Sequence, residues 1–509
     1  MSKQSGPERL AGALGILAAC LALTGAPAAS ADDQQQAEQR EPEEPEISLD
    51  AQRVPYDRTI FRPDPSYEDK PYESQRQLDI YGAKYLNITQ RPLLELGREL
   101  YQYGPFRPAP TWLGEKNLIF NQLLVYGDWR SAIAWNDNGA KEVARIATRL
   151  NLDIDYQITA TERVHAFLRP LDKGGRFTRY DFGGDVDEGF ELELDGNADA
   201  LFFEGDLGSI WGGLSNEAAS FDLPFAAGLI PLLFQNGVWV EDAFTGFAVS
   251  VTSLNSPSLD ISNMDITFFA GFDKVTTGAV RGDHGADVYG VVAFIEANQG
   301  YWELGYGYTN DRSSFGDQSY HNFTASFTRR YGNVLSNSVR VIVNVGQKPG
   351  DGRAQTADGF IILVENSLIT SKPTTLVPYF NFWAGFDRPQ SLARDAGAGG
   401  ILKNTGILFE SDGVTGFPTM DATGFDTHGA AVGLNYLFNL DRQIVLEAAI
   451  LGVRGSDTDR TAPGNQFGIG MRYQHPISHN TILRFDVMRA WREEAEDLLG
   501  VRFEVRIKF

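Results

Sequence analysis

From about Gln122 to its last residue the chain is written in segments of about ten residues in which apolar and polar side chains alternate. In Val143–Gln157 the even positions carry Ile146, Leu150, Leu152, Ile154 and Tyr156, while the odd ones carry Arg145, Arg149, Asn151, Asp153 and Asp155. In Asn465–Gln474, Phe467, Ile469, Met471 and Tyr473 oppose Gln466, Gly468, Gly470, Arg472 and Gln474. Successive side chains of a strand point to opposite faces, so each segment is a strand with one apolar and one polar face. Both a soluble sandwich and a membrane barrel satisfy that pattern, and the connections separate them.

Eighteen strands can be placed: 122–136, 143–156, 163–169, 198–208, 224–233, 243–254, 264–272, 286–296, 300–309, 319–329, 334–346, 358–367, 375–385, 428–438, 443–453, 464–475, 480–490 and 498–509. Connections 157–162, 297–299, 330–333, 439–442 and 476–479 are short, whereas 170–197, 273–285, 347–357, 386–427 and 454–463 are long. Short turns on one side and long loops on the other are the plan of an outer-membrane barrel, with the short side in the periplasm. The expected fold is all-β: a closed antiparallel transmembrane β-barrel of about 18 strands (16–20) with a short N-terminal periplasmic segment. An even count puts both termini in the periplasm. The irregular short-side stretches 209–223 and 255–263 fit this plan least well.

Composition narrows the function classes. A net charge of −23 excludes the basic stripe that nucleic-acid binding requires. One cysteine, Cys20, excludes a disulfide framework, a cysteine zinc site and c-type haem attachment. GxSxG, HExxH and P-loop motifs do not occur, and the six histidines are dispersed. His475-Pro476-Ile477-Ser478-His479 falls in an expected turn, where proline blocks helical presentation of the pair. The expectation is a protein that is not an enzyme and holds neither cofactor nor metal.

The first residues read as an export signal. Lys3 and Arg9 precede an apolar run, Leu10–Leu23, and Ala29-Ser30-Ala31 is a cleavage site, which makes 1–31 a signal peptide. Leu17-Ala18-Ala19-Cys20 also reads as a lipobox, which would leave Cys20 acylated. Residues 32–50 hold eight acids and form an acidic, solvated tail. Residues 51–121 are rich in Pro and Tyr and form a periplasmic or plug segment with one expected helix, Arg91–Gln102. The barrel occupies 122–509.

The chain end carries the most specific motif. Val501, Phe503, Val505, Ile507 and the terminal Phe509 resemble the C-terminal strand of Gram-negative outer-membrane proteins. That resemblance implies location in the outer membrane, contact with its lipids and lipopolysaccharide, and recognition of Phe503, Val505, Ile507 and Phe509 by the barrel-assembly machinery. The strand count resembles that of sugar-specific porins and of alginate-export barrels, and no motif selects between them.

Apolar faces against lipid leave charged faces for the lumen. Closure places the last strand beside the first. The inward positions then form one wall holding Arg472, Arg484, Arg502, Arg506, Arg130, Arg145, Arg149, Arg163 and Arg169, with His165 and the acids Asp486, Glu504, Asp153 and Asp155. Guanidinium stays charged and offers a fork of donors, so such a wall attracts anionic or polyhydroxylated solutes. The competing reading is charges paired across strands to keep a lumen wet. Most remaining acids fall elsewhere, notably in loop 170–197, with Asp172, Asp181, Asp185, Asp187, Glu188, Glu191, Glu193 and Asp195. Its end, Asp195-Gly196-Asn197-Ala198-Asp199, starts like a calcium loop, but Ala200 and Asp206 replace the required Gly and Glu. Such a loop suits divalent cations at the lipopolysaccharide boundary, and loop 386–427 suits a constriction in the lumen. Outward rings, with Trp302, Tyr306 and Tyr308 on one strand and Trp129 and Trp135 on another, suit the lipid–water boundary.

Three functions compete. The first is a porin-like channel for passive diffusion of small hydrophilic solutes. The second is a polymer export or uptake barrel whose residues 51–121 dock a periplasmic partner. The third is a structural or adhesive barrel with a plugged lumen.

Overall fold

The computed structural model describes Gln75 and residues 91–97, 109–313, 317–350, 354–410, 414–438, 441–455, 460 and 462–509. The expectations for 1–31 (Cys20 included), for 32–50 and for most of 51–121 lie outside the described residues.

Eighteen strands make the wall. They are β1 (Gln122–Asp137), β2 (Glu142–Gln157), β3 (Arg163–Leu168), β4 (Ala198–Asp206), β5 (Pro224–Phe234), β6 (Val240–Ser256), β7 (Ile261–Asp273), β8 (Ala286–Ala297) and β9 (Gly300–Asp311). They continue as β10 (Tyr320–Tyr331), β11 (Leu335–Val345), β12 (Phe360–Leu368), β13 (Leu376–Phe386), β14 (Thr427–Phe438), β15 (Arg442–Val453), β16 (Gln466–Pro476), β17 (Thr481–Arg492) and β18 (Leu498–Lys508). Each pairs antiparallel with the next, and β18 pairs with β1, with Arg506 opposite Arg130 and Val501 opposite Trp135. The sheet is closed, and the bounds follow the alternation closely. The two irregular short-side stretches are helical: α1 (Leu207–Ser215), capped by Asp206 accepting from Ser209 N at 2.6 Å, and a 3-10 turn at Pro257–Leu259.

One expectation fails. Within the helix foreseen at Arg91–Gln102, residues Leu94–Gly97 are a strand paired with the start of β1, Leu94 opposite Val125 and Gly97 opposite Gln122. The reason is an open edge. The last strand ends at Gly127, so the first residues of β1 would present unpaired N–H and C=O groups, and the short strand covers them. Tertiary pairing overrides local helix propensity. Residues 98–102 lie outside the described residues.

Exterior and interior follow the alternation. Along β18, Leu499 and Val501 are exposed while Gly500, Arg502 and Glu504 are buried. Exposed Phe247, Phe268, Leu304, Phe323, Ile362, Phe382, Val432, Leu446 and Ile469 continue the apolar exterior around the ring. A belt of that extent is untenable in water and natural in lipid.

The interior is not an empty tube. The connection 387–426 between β13 and β14 folds inward and crosses the lumen. On one side Asn322 of β10 and Asn344 of β11 donate to the Gln390 carbonyl at 3.0 and 3.1 Å. On the far side Asn136 of β1 donates to the Thr415 carbonyl at 2.9 Å. Leu392, Leu402, Leu408 and Phe409 are fully buried with Trp239, Phe244 and Trp383 in one apolar cluster. Each such side chain contributes about 1.5–3 kcal/mol on leaving water, which holds the segment inside. Glycines on the inner wall make room for it. A Cβ on Gly307 would lie 2.3 Å from Leu392 Cδ2, and one on Gly500 would lie 2.7 Å from Phe417 Cε2.

Candidate functional site: the arginine wall

Strands β16, β17, β18, β1, β2 and β3 run side by side across the closure, and their inner faces carry the expected charges. Arg472, Asp486 and Arg502 stand directly opposite one another on β16, β17 and β18. Arg484 faces Glu504, and Arg130 faces both Arg506 and Arg149. Arg145, Arg149, Asp153 and Asp155 share one face of β2, with Asp155 opposite His165. Arg163 opens β3. Arg169 lies one residue past the end of that strand, at the long-loop rim.

Asp486 is the hub of one cluster. It accepts from Arg472 Nε at 2.8 Å, Arg484 Nε at 2.8 Å and Arg502 Nη2 at 2.7 Å, and both Asp486 and Arg502 are buried. Glu410, carried in by the lumenal loop, takes Arg472 Nη1 at 2.6 Å. Burial by itself would raise the Glu410 carboxyl, but Arg472, Arg484 and Arg502 outweigh that and hold it below the usual glutamate range. Phe417 of the same loop lies against the Arg502 guanidinium, 5.2 Å from ring centre to carbon.

Asp128 is the hub of a second cluster, bound by Arg130 Nε at 2.7 Å and Arg506 Nε at 2.8 Å, and by Asn151 Nδ2 at 2.9 Å. Arg149 differs from the rest. Its Nε donates to Asn151 Oδ1 at 2.9 Å and its guanidinium lies 5.6 Å from the Phe177 ring, but no described carboxylate pairs with it. Toward the short-turn rim, Arg163 lies 3.9 Å from Asp155, and His165 stacks on Phe202 with Nε2 3.0 Å from Glu204.

The acidic loop requires a correction. Two of its carboxylates, Asp172 and Asp181, join the wall rather than standing apart from it. A strand within it, Arg176–Gly184, pairs with the upper edge of β2, and Asp181 binds Arg145 at 2.8 Å. Arg169 is held by Asp199 at 2.5 Å and Asp172 at 3.3 Å, and Asp206 is spent on capping α1. The calcium-like spelling therefore serves ion pairing and capping. Among the described residues no group of three or more His, Cys, Asp or Glu is arranged to hold a metal.

Sequence reasoning missed Glu410 and Asp128. Asp128 lies in phase with Arg130 on β1, and that phase was signal enough. Glu410 lies in a loop without periodicity, so nothing local marks it.

A closed eighteen-strand sheet, an apolar exterior and a charged interior crossed by a loop define the class: an outer-membrane β-barrel of porin-like build. No protein-family model matches the chain, and no curated protein matches it. Solved structures similar in fold include Pseudomonas aeruginosa OccK5 (OpdH), at 11% identity, 76% of this chain, 98% of that chain and a TM-score of 0.49. Pseudomonas aeruginosa OpdK with vanillate matches at 13% identity, with 76% and 98% covered and a TM-score of 0.48. Wzi, a carbohydrate-binding β-barrel involved in group 1 capsule assembly in Escherichia coli, matches at 14% identity, with 75% and 84% covered and a TM-score of 0.43.

Proposed function

We propose that the protein is a porin-like channel for small hydrophilic solutes, with a preference for anionic or sugar-like ones. Loop 387–426 is the constriction, and the arginine wall is the conducting side. The supporting observation is a gradient of exposure along that wall. The Arg502 side chain is fully buried beneath Phe417, whereas Arg506 and Arg163 keep 34% and 40% of theirs exposed. Guanidinium groups that face water inside a low-dielectric wall concentrate anions beside them. Asp153 and Asp155 on the same face moderate the field and favour polar solutes over bare anions. Residues 1–31 are removed on export, and the C-terminal strand is read by the assembly machinery.

Planar-bilayer recording under a salt gradient tests this reading. Discrete conductance with a reversal potential on the anion side is expected. A silent intact protein, with conductance gained when 387–426 is replaced by a short Gly/Ser turn, would instead identify a plugged barrel. Silence of both forms would sink the channel reading.

A further inference from the structure

Helix α1 packs the wrong way round for a soluble rim. Its buried residues are Gly208, Gly212 and Gly213, whereas Leu207, Trp211 and Leu214 are 41%, 61% and 68% exposed. Positions 207, 211 and 214 follow i, i+4, i+7 spacing, so they form one stripe on one face. The segment Leu207–Ser215 has no charged residue. The glycine face is seated tightly: a Cβ on Gly213 would lie 2.4 Å from Asn117 Cβ and 2.6 Å from the Leu113 carbonyl. Glu115 N donates to Asn216 Oδ1 at 2.9 Å, which fixes the neighbouring stretch against the helix end. That stretch carries Trp112, 71% exposed. Packing thus turns the small residues inward and the large apolar ones outward, although the swap would bury more apolar area.

The exposed stripe adjoins the belt. Outward Leu201 and Phe203 on β4 and Phe225 on β5 lie just above α1, and the Phe203 and Phe225 rings are 5.7 Å apart. Phe221, in the connection from α1 to β5, is exposed as well. We infer that α1 and Trp112 form an interfacial anchor that lies in the headgroup–acyl boundary of the leaflet at the short-turn rim, the periplasmic one in barrels of this kind. Tryptophan prefers this boundary, because its ring is apolar and its N–H is polar. The partner is a lipid surface rather than a second protein, because the stripe adjoins the lipid-facing strands β4 and β5. The anchor fixes the depth of the barrel beside β3, β4 and β5.

Spin labels on the full chain in phospholipid vesicles test this. Leu214→Cys, Trp112→Cys, a belt position (Ile469→Cys) and a nearby charged position (Glu217→Cys) are labelled in turn, with the unsubstituted protein as the control for Cys20. Collisions with oxygen and with a water-soluble nickel chelate are then compared. The expected result is oxygen accessibility several-fold above chelate accessibility at 214, 112 and 469, and the reverse at 217. Chelate accessibility at 214 and 112 with 469 still in lipid would overturn the anchor and leave the barrel reading intact. Low accessibility to both reagents at 214 and 112 would overturn it too, because protein would then cover the face.

Discussion

Gly127 and Phe509 exchange both of their backbone hydrogen bonds, Gly127 N donating to the Phe509 carbonyl at 2.8 Å and Phe509 N to the Gly127 carbonyl at 3.1 Å. The last residue of the chain is therefore the last rung of the closing seam. Beyond it the Leu94–Gly97 strand takes over the edge of β1.

Deleting Phe509 removes two hydrogen bonds, each worth about 1 kcal/mol net, so the finished barrel should lose little stability. Assembly in cells should suffer far more if the terminal ring is read by the assembly machinery. Heat-modifiable gel migration checks both: refolded protein should keep its shift while membrane fractions lose folded material. Unchanged membrane assembly would count against the motif.

Asp486 should be the least replaceable charge in the wall. Asp486→Ala leaves Arg472, Arg484 and Arg502 to repel one another in a buried setting, and removing one partner of a buried pair costs about 3–5 kcal/mol. Arg484→Ala leaves two guanidiniums on the same carboxylate and should cost much less. Thermal unfolding in detergent, read from the heat-modifiable band, gives the order; equal losses would contradict the hub.

Selectivity should rest more on Arg149 than on Arg484 or Arg502. No described carboxylate forms an ion pair with it, and it faces Arg130 across the strands. Arg149→Ala should therefore move the reversal potential toward cations with little change in stability, because a like-charge contact is relieved. Arg484→Ala with Arg502→Ala removes guanidiniums already matched by Asp486, Glu410 and Glu504, and should shift it less per charge. A larger shift from the double variant would reverse this assignment.

The loop should be released by acid. Glu410 is held below its ordinary 4.5 in the folded protein, so its pairing with Arg472 stabilises the loop fully above that value. The contribution is lost as pH falls through the depressed value, not near neutrality. Conductance, or protease cleavage within 387–426, should stay constant from neutral pH to about 5 and rise below that. Glu410→Gln should loosen the loop at neutral pH and flatten the acid response. An unaltered acid response in Glu410→Gln would show that another group holds the loop.

The inner wall should also resist a methyl group where the loop rests. Gly500→Ala places a Cβ 2.7 Å from Phe417 Cε2 and 2.8 Å from Pro418 Cδ, and the proline ring cannot swing aside. The loop should lift locally, with raised conductance and the barrel intact. An unchanged conductance would show that Phe417 has room to move.

The eighteen strands were legible because alternation is a local property: each face is decided by the residue itself, and lipid outside with water inside asks for the same two faces all round the ring. Arg472, Arg502, Arg130 and Arg149 could be assigned to one wall by phase and by closure. The short strand Leu94–Gly97 was not legible, because an unpaired edge on β1, created by where β18 stops, outweighs the helical spelling of Arg91–Gln102.

The sequence by itself determined the strand count and the order of the seam, which follow from a period of two read along the chain. The tertiary structure alone decided which charges meet. Asp486 gathers three arginines and Glu410 reaches Arg472 from a loop sixty-two positions away in sequence, because ion pairing depends on distance in space and on the burial that removes competing water.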